Sequence, residues 1–168
     1  AAVTARVGVP ISGVSVTSVS EAIVGIARNG QPSGNIITWF DTRSMKQAMR
    51  MREAFGQEKL YRITGLDVNP IFSVFKIMWI RENRPAEYEK TVKWLSVGDY
   101  ILYRLTGEFA TDCTLACRTM AFDICSNTWS REILDWAQIP EDRFPPIYNS
   151  GTVIGTVSEA TAQATGIT

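Results

Sequence analysis

The sequence predicts an α/β domain with a mixed sheet, because its hydrophobic pattern changes period along the chain. Residues 11–39 carry short apolar runs separated by tight-turn residues, most densely over 30–34. Such runs predict short strands at an antiparallel edge. From residue 43 onward, apolar residues recur mainly at helical spacing. The 168 residues, 45% hydrophobic and 20% charged, are enough for one globular domain with a core.

The elements follow in order from these periods. The predicted strands are 11–18, 21–27, 36–39, 92–95 and 152–157. The predicted helices are 43–55, 57–64, 72–83, 97–105, 129–137 and a last one after Ser158. The stretch Ser96-x-x-Asp99 is typical of a capping box, and Gly107 is expected to end the helix that it opens. Asp112 is expected to cap the following turn.

Composition excludes several classes of function. Lys plus Arg equals Asp plus Glu at 17 each. The chain therefore lacks the basic excess that would indicate a nucleic-acid partner. The chain has no histidine, which removes His-based nucleophile systems and His-ligated metals. Cys113, Cys117 and Cys125 lack the spacing of a zinc site or a disulfide framework, and we interpret them as small apolar fillers. The tryptophans at 79, 94, 129 and 136 are interpreted as packing residues.

No apolar run is long enough to span a bilayer, and the first residues lack a signal-peptide pattern. We therefore expect no membrane partner and a cytoplasmic location, and we interpret both ends as cut ends of a longer protein. The chain also has no Gly-x-Gly, no Gly-x-Ser-x-Gly and no Asp-x-Asp. A phosphate-binding loop, a nucleophile elbow and a paired-carboxylate metal site are thus not predicted.

Three segments in order resemble the FGGY carbohydrate kinase family, most closely its xylulokinase and glycerol kinase branches. The first, residues 39–43, resembles the family's Trp-x-Asp-x-Arg segment. The second, residues 69–80, resembles its first signature, in which a small hydroxyl residue precedes Lys and Trp. The third, residues 94–112, resembles its stretch of helix, Thr-Gly-Glu turn and Thr-Asp. The resemblance covers roughly residues 11–168.

This resemblance implies ATP-dependent phosphorylation of a sugar or polyol hydroxyl. Residues 1–168 would form a single, partial ribonuclease H-like (actin-like ATPase) domain that carries part of the sugar-binding half. The ATP and Mg²⁺ sites would lie mostly elsewhere, and the general-base aspartate would follow Thr168. The resemblance therefore implies no catalytic residue and no metal ligand within this chain.

The resemblance also implies five substrate-binding residues, and each has an alternative role. Ser20 and Glu21 match a substrate-contacting dipeptide, or form a solvated hairpin tip. Trp39 lines the sugar pocket, or is a core tryptophan at a strand end. Asp41 orients substrate or, as we favour, caps the helix that follows. Ile71 stands where relatives often carry Tyr, Phe or Met, which leaves the sugar open.

Lys76 resembles a phosphate binder, but we favour a helix lysine that pairs with an acid or reaches toward solvent. Two other functions stay open. A non-catalytic binding or regulatory module would keep the fold without the chemistry. A nuclease would need converging carboxylates, which the scattered acidic residues disfavour. The oligomeric state, a homodimer included, is not determined by the sequence.

Overall fold

Short strands and short helices make up the chain in a computed structural model, which describes residue 6 and residues 11–167. The strands are β1 (Ile23–Ala27), β2 (Thr91–Ser96), β3 (Thr111–Asp112), β4 (Phe122–Asp123), β5 (Thr128–Trp129) and β6 (Ile147–Tyr148). The helices are α1 (Met45–Phe55), α2 (Gln57–Thr64), α3 (Ser73–Asn83), α4 (Pro85–Lys90), α5 (Val97–Thr106), α6 (Cys113–Ala116), α7 (Arg131–Ala137) and α8 (Glu159–Thr165). Two 3₁₀ turns, Cys117–Thr119 and Glu141–Arg143, connect them.

The longest strand pair joins β1 to β2, which is antiparallel and begins with Ile23 opposite Ser96. The other edge of β1 makes two isolated antiparallel bridges, from Ile26 to Pro32 and from Ile23 to Ile37. The remaining pairs are short: β3 is parallel to β6, and β4 is antiparallel to β5. Among the described residues, the parallel pair and the two antiparallel pairs belong to three separate two-stranded sheets, so the two kinds of pairing do not occur within one sheet.

Strand β1 is buried on both faces, which its run of apolar residues predicts. One face packs against α3, in which seven of the first eight residues are buried, Lys76 included. The other face packs Val24 and Ile26 with Leu95 of β2 and the rings of α5. A side chain at Gly25 would overlap the Trp94 ring, whose nearest atom lies 2.8 Å from an added Cβ. Only glycine fits there.

Several predicted elements are confirmed. The helix predicted over 57–64 coincides with α2, and strand 92–95 lies within β2. Ser96 and Asp99 form the predicted capping box, and Gly107 ends α5 in a left-handed conformation. Asp112 accepts from the backbone N–H groups of Thr114 and Leu115, as a cap does.

Other predictions are wrong. Residues 11–18 and 152–157 form no strand, and most of their side chains are exposed. A strand needs a neighbour for its backbone N–H and C=O groups, and no described segment pairs with either stretch. Residues 36–39 contribute only the bridge at Ile37. Helix α4 was not predicted; it begins at Pro85, and proline suits the first turn of a helix.

The packing residues mostly behave as expected. Trp94 and Trp129 are buried, while Trp79 and Trp136 are partly buried against the core. Cys113 and Cys117 pack against the same core, but Cys125 is exposed, so the filler interpretation is wrong for that thiol. None of the helices in the described ranges is long and apolar enough to cross a membrane.

Candidate functional site

Two chain segments approach each other at the N-terminal end of β1. The backbone of Ile23 donates to the carbonyl of Ile37 (3.0 Å), and Ile37 donates back (3.1 Å). In an antiparallel pair, the register carries the next same-face residues opposite each other. Glu21 and Trp39 each lie two residues beyond this bridge, one on each segment. Two of the residues that the sequence predicts as parts of one pocket therefore lie on adjoining segments, just past the end of a strand pair.

Lys76 of α3 occupies the place where the strand pairing stops. Its Nζ donates to the carbonyl oxygen of Glu21 (2.7 Å) and to that of Thr38 (2.8 Å). The residue is fully buried, with 0% exposure. Burial lowers the pKa of the Lys76 ammonium to about 8, while the nearby carboxylates of Asp41 and Glu21 act in the opposite direction. The prediction that Lys76 pairs directly with an acid or reaches solvent is wrong, because two backbone carbonyl oxygens accept the hydrogen bonds of its ammonium.

The Glu21 carboxylate is held by a residue far along the chain. Arg118 donates from Nε to Oε1 at 2.7 Å, and its Nη2 lies 2.5 Å from the same oxygen. The Arg118 guanidinium also lies over the Phe72 ring, 5.0 Å from its centroid. Glu21 is only 7% exposed, so it is not a solvated hairpin tip. Both Arg118 contacts are to Oε1, and the other carboxylate oxygen of Glu21, Oε2, makes no hydrogen bond among the described residues.

Trp39 is a surface residue with half of its side chain exposed, so the alternative of a core tryptophan is wrong. The neighbouring Phe40 is 64% exposed and meets the indole edge to face, with the two ring centroids 5.6 Å apart. An indole in this position offers a flat apolar face and an N–H donor to a ligand. This pair of exposed rings adjoins the carbonyl of Thr38 that Lys76 binds.

Asp41 is engaged by Arg43. The Arg43 Nε and Nη2 bind both carboxylate oxygens at 2.7–2.9 Å, and the backbone N–H of Arg43 donates to Oδ1 at 3.0 Å. These bonds lower the pKa of Asp41, first through the Arg43 side chain and against the effect of burial. The predicted helix cap is wrong, because α1 begins at Met45 and follows Ser44. Arg43 in turn lies over the Trp79 ring, 4.8 Å from its centroid.

Ile71 lies in the turn that precedes α3, where its backbone N–H binds the Asn69 side chain at 3.1 Å. Its side chain is partly exposed and packs against the core. The next residue, Phe72, is the ring beneath Arg118. Ser20 is partly exposed in the bend immediately before Glu21. Lys76 and Arg118 thus bind Glu21 itself or residues next to the other predicted ones in the sequence or in space. This holds for Glu21, Trp39, Asp41 and Ile71, and Ser20 precedes Glu21 in the chain.

The sequence did not predict Arg118 as part of this group. It lies 97 residues from Glu21 along the chain, in the 3₁₀ turn after α6. No local period links a loop cation to a carboxylate at such a distance. The one available signal was its position six residues after the Thr-Asp segment, and that signal is weak.

A separate cleft lies elsewhere in the molecule. It has a volume of about 580 Å³ between residues 11–16, helix α5 and residues 148–157, and it contains none of the five predicted residues. Within the described ranges, no three His, Cys, Asp or Glu residues come close enough to hold a metal ion.

Comparison with known proteins identifies the family. Residues 7–168 match the N-terminal domain of the FGGY family of carbohydrate kinases. This chain belongs to that family. It is 32% identical to the xylulose kinase of Bacillus subtilis over 157 residues, covering 94% of this chain and 31% of that protein. It is 33% identical to the glycerol kinase of Thermococcus gammatolerans over 149 residues, covering 86% of this chain and 30% of the relative.

The same fold occurs in solved structures of FGGY kinases. A ligand-bound xylulose kinase from Lactobacillus acidophilus superposes with a TM-score of 0.92 at 25% identity, over 99% of this chain and 34% of that one. A gluconate kinase from the same organism gives the same values. The predicted ribonuclease H-like fold is therefore confirmed. The FGGY chain described here spans about a third of the length of these relatives.

Proposed function

We propose that the protein carrying this chain transfers the γ-phosphate of ATP to a hydroxyl group of a sugar or polyol. In this proposal, residues 20–21, 39–41 and 71 form one wall of the substrate site. The observation that carries it is the bridge made by Lys76 between the backbone carbonyls of Glu21 and Thr38, which places the Glu21 segment beside the segment of the half-exposed Trp39. The matched family supports the same reaction.

The chemistry of this wall suits a polyhydroxylated ligand. The carboxylate of Glu21 can accept hydrogen bonds from neighbouring hydroxyl groups, and Arg118 holds it in place. The Trp39 face packs against the apolar C–H face of a sugar. Ser20 offers a hydroxyl group, and Ile71 supplies an apolar boundary. Asp41, already bound by Arg43, is better suited to orient the Trp39 turn than to bind substrate by itself.

ATP and Mg²⁺ are assigned to parts of the protein beyond the described residues. The chain offers no glycine-rich phosphate loop and, in its described part, no carboxylate cluster for a metal. No catalytic step is therefore assigned to these residues, and the general base is proposed to follow Thr168. The described wall contributes binding and orientation, which is a large part of phosphoryl-transfer catalysis. We further propose a cytoplasmic enzyme, monomeric or homodimeric.

The test is ATP-dependent phosphorylation of a panel of ketoses, polyols and glycerol by the protein that contains this chain. The variants Glu21→Ala and Trp39→Ala are expected to raise the KM for the accepted sugar by about tenfold or more, because each removes one substrate contact. Glu108→Ala, an exposed change outside the group, is the control and leaves the KM unchanged. If no member of the panel is phosphorylated, the protein is a non-catalytic binding module and the proposal fails.

A further inference from the structure

The distance between Glu21 and Trp39 is set by neither strand pairing nor direct contact. Backbone hydrogen bonds join the two segments at Ile23 and Ile37, and the next joint is the Lys76 ammonium. The two carbonyl oxygens that it binds belong to Glu21 and to the residue before Trp39. A single nitrogen between two carbonyls keeps the segments farther apart than a direct N–H···O=C bond would.

The same lysine links a third part of the wall. Lys76 lies on α3, and the turn that begins this helix carries Ile71. Its side chain is fully buried, so the ammonium has no access to a ligand in the pocket. Lys76 therefore links the backbone of Glu21 to that of the residue before Trp39 through its ammonium, and both to the turn of Ile71 through its own helix.

We propose that Lys76 is a positioning residue for the sugar site, one that sets the separation of Glu21, Trp39 and Ile71 and thereby the fit of the substrate. This inference rests on the proposed function. Lysine suits the role because its ammonium carries three N–H donors on a long apolar stem, and a buried ammonium is retained only where strong acceptors receive it. Displacements of about 1 Å in a binding wall are enough to weaken substrate orientation severely.

The test compares Lys76→Met with the unmodified protein that contains this chain. Methionine keeps much of the stem length and removes every donor. We expect the KM for the sugar to rise by about tenfold or more and the KM for ATP to stay within about twofold. Lys76→Arg retains donors in a different arrangement, and an intermediate increase in the sugar KM is expected.

Leu134→Ala is the control, since Leu134 is a buried residue of α7 outside this group. It lowers the melting temperature through a cavity and leaves the sugar KM unchanged. An equal rise in sugar KM for Leu134→Ala and Lys76→Met would overturn the inference, as would an unchanged KM in Lys76→Met. If Lys76→Met does not fold, an unchanged KM in Lys76→Arg overturns it. If the unmodified protein phosphorylates no sugar, the proposed function itself fails.

Discussion

Asp99 lies in the capping box of α5 and gives a prediction about stability and pH. Its Oδ2 accepts from the Ser96 backbone N–H at 3.1 Å, and the Ser96 Oγ accepts from the Asp99 backbone at 3.1 Å. The side chain is nevertheless almost completely buried. Burial raises the pKa of the Asp99 carboxyl from 3.8 to about 6, and hydrogen bonds from Ser96 and Thr111 oppose this only in part.

The magnitude follows from the two pKa values. A rise from 3.8 to about 6 corresponds to about 3 kcal/mol between the protonated and ionised forms. Because the folded-state pKa is the higher one, the folded protein binds the proton more tightly than the unfolded chain. The stability contribution is present below pH 3.8 and is lost as the pH rises through about 6.

Asp99→Asn removes the charge and keeps an oxygen that can accept from Ser96. A carboxylate near a helix N-terminus is itself favourable by up to about 1 kcal/mol, so the net gain of the variant at pH 7 is about 2 kcal/mol. Near pH 4 the gain should vanish, since Asp99 is then protonated in the folded state.

Urea unfolding of the protein and its variant at several pH values from 4 to 7 measures this difference. Asp112→Asn is the matched control with the opposite sign. Burial raises the pKa of Asp112, but hydrogen bonds from Thr114, Leu115 and Ser150 outweigh it, so the net pKa is lowered. Relative to the parent, Asp112→Asn should become less stable as the pH rises, because the parent then gains the stability of the ionised Asp112 carboxylate. A stability difference between Asp99→Asn and the parent that does not change with pH would refute the reasoning.

Two further predictions concern stability. Arg118→Leu leaves the Glu21 carboxylate without its partner in a nearly buried place, and it should lower the free energy of unfolding by about 2 kcal/mol. The double variant Glu21→Gln with Arg118→Leu should recover at least half of this loss in a denaturation cycle, and strict additivity would contradict the coupling. Gly107→Ala should lower the free energy of unfolding by about 1 kcal/mol in thermal unfolding, because Gly107 has a left-handed φ of 85°. An added Cβ meets no atom within 4 Å, so backbone strain is the whole cause. Gly155→Ala, with ordinary contacts and no left-handed backbone, should change stability by less than about 0.5 kcal/mol, and equal losses at both sites would exclude backbone strain as the cause.

Most of the helices and the caps of α5 were predictable because their signals are local. A period of 3.6 residues, a Ser-x-x-Asp box and a terminal glycine each lie within one or two turns. Strand 11–18 was predicted wrongly for the opposite reason. Alternating apolar residues indicate that a segment can form a strand. The strand exists only where another segment supplies the backbone hydrogen bonds.

The candidate site shows the same limit. Glu21 and Trp39 were found through the resemblance, whereas Lys76 was assigned a helix-surface role and Arg118 was not assigned at all. The burial of Lys76 depends on where two carbonyl oxygens point, which is a property of the folded backbone. The spacing of apolar residues predicted the helix α3 but neither its burial nor the partners of its lysine.

The contacts around Glu21 also have a consequence for the order of folding. Lys76 lies 55 residues from Glu21 in the sequence, and Arg118 lies 97 residues from it. Each contact must close a long loop before it contributes energy, and distant contacts of this kind slow folding. Helices α1 and α2 can form from nearby residues alone. The geometry around Glu21, by contrast, is completed only after the chain has been made as far as Arg118 and has folded back on its beginning.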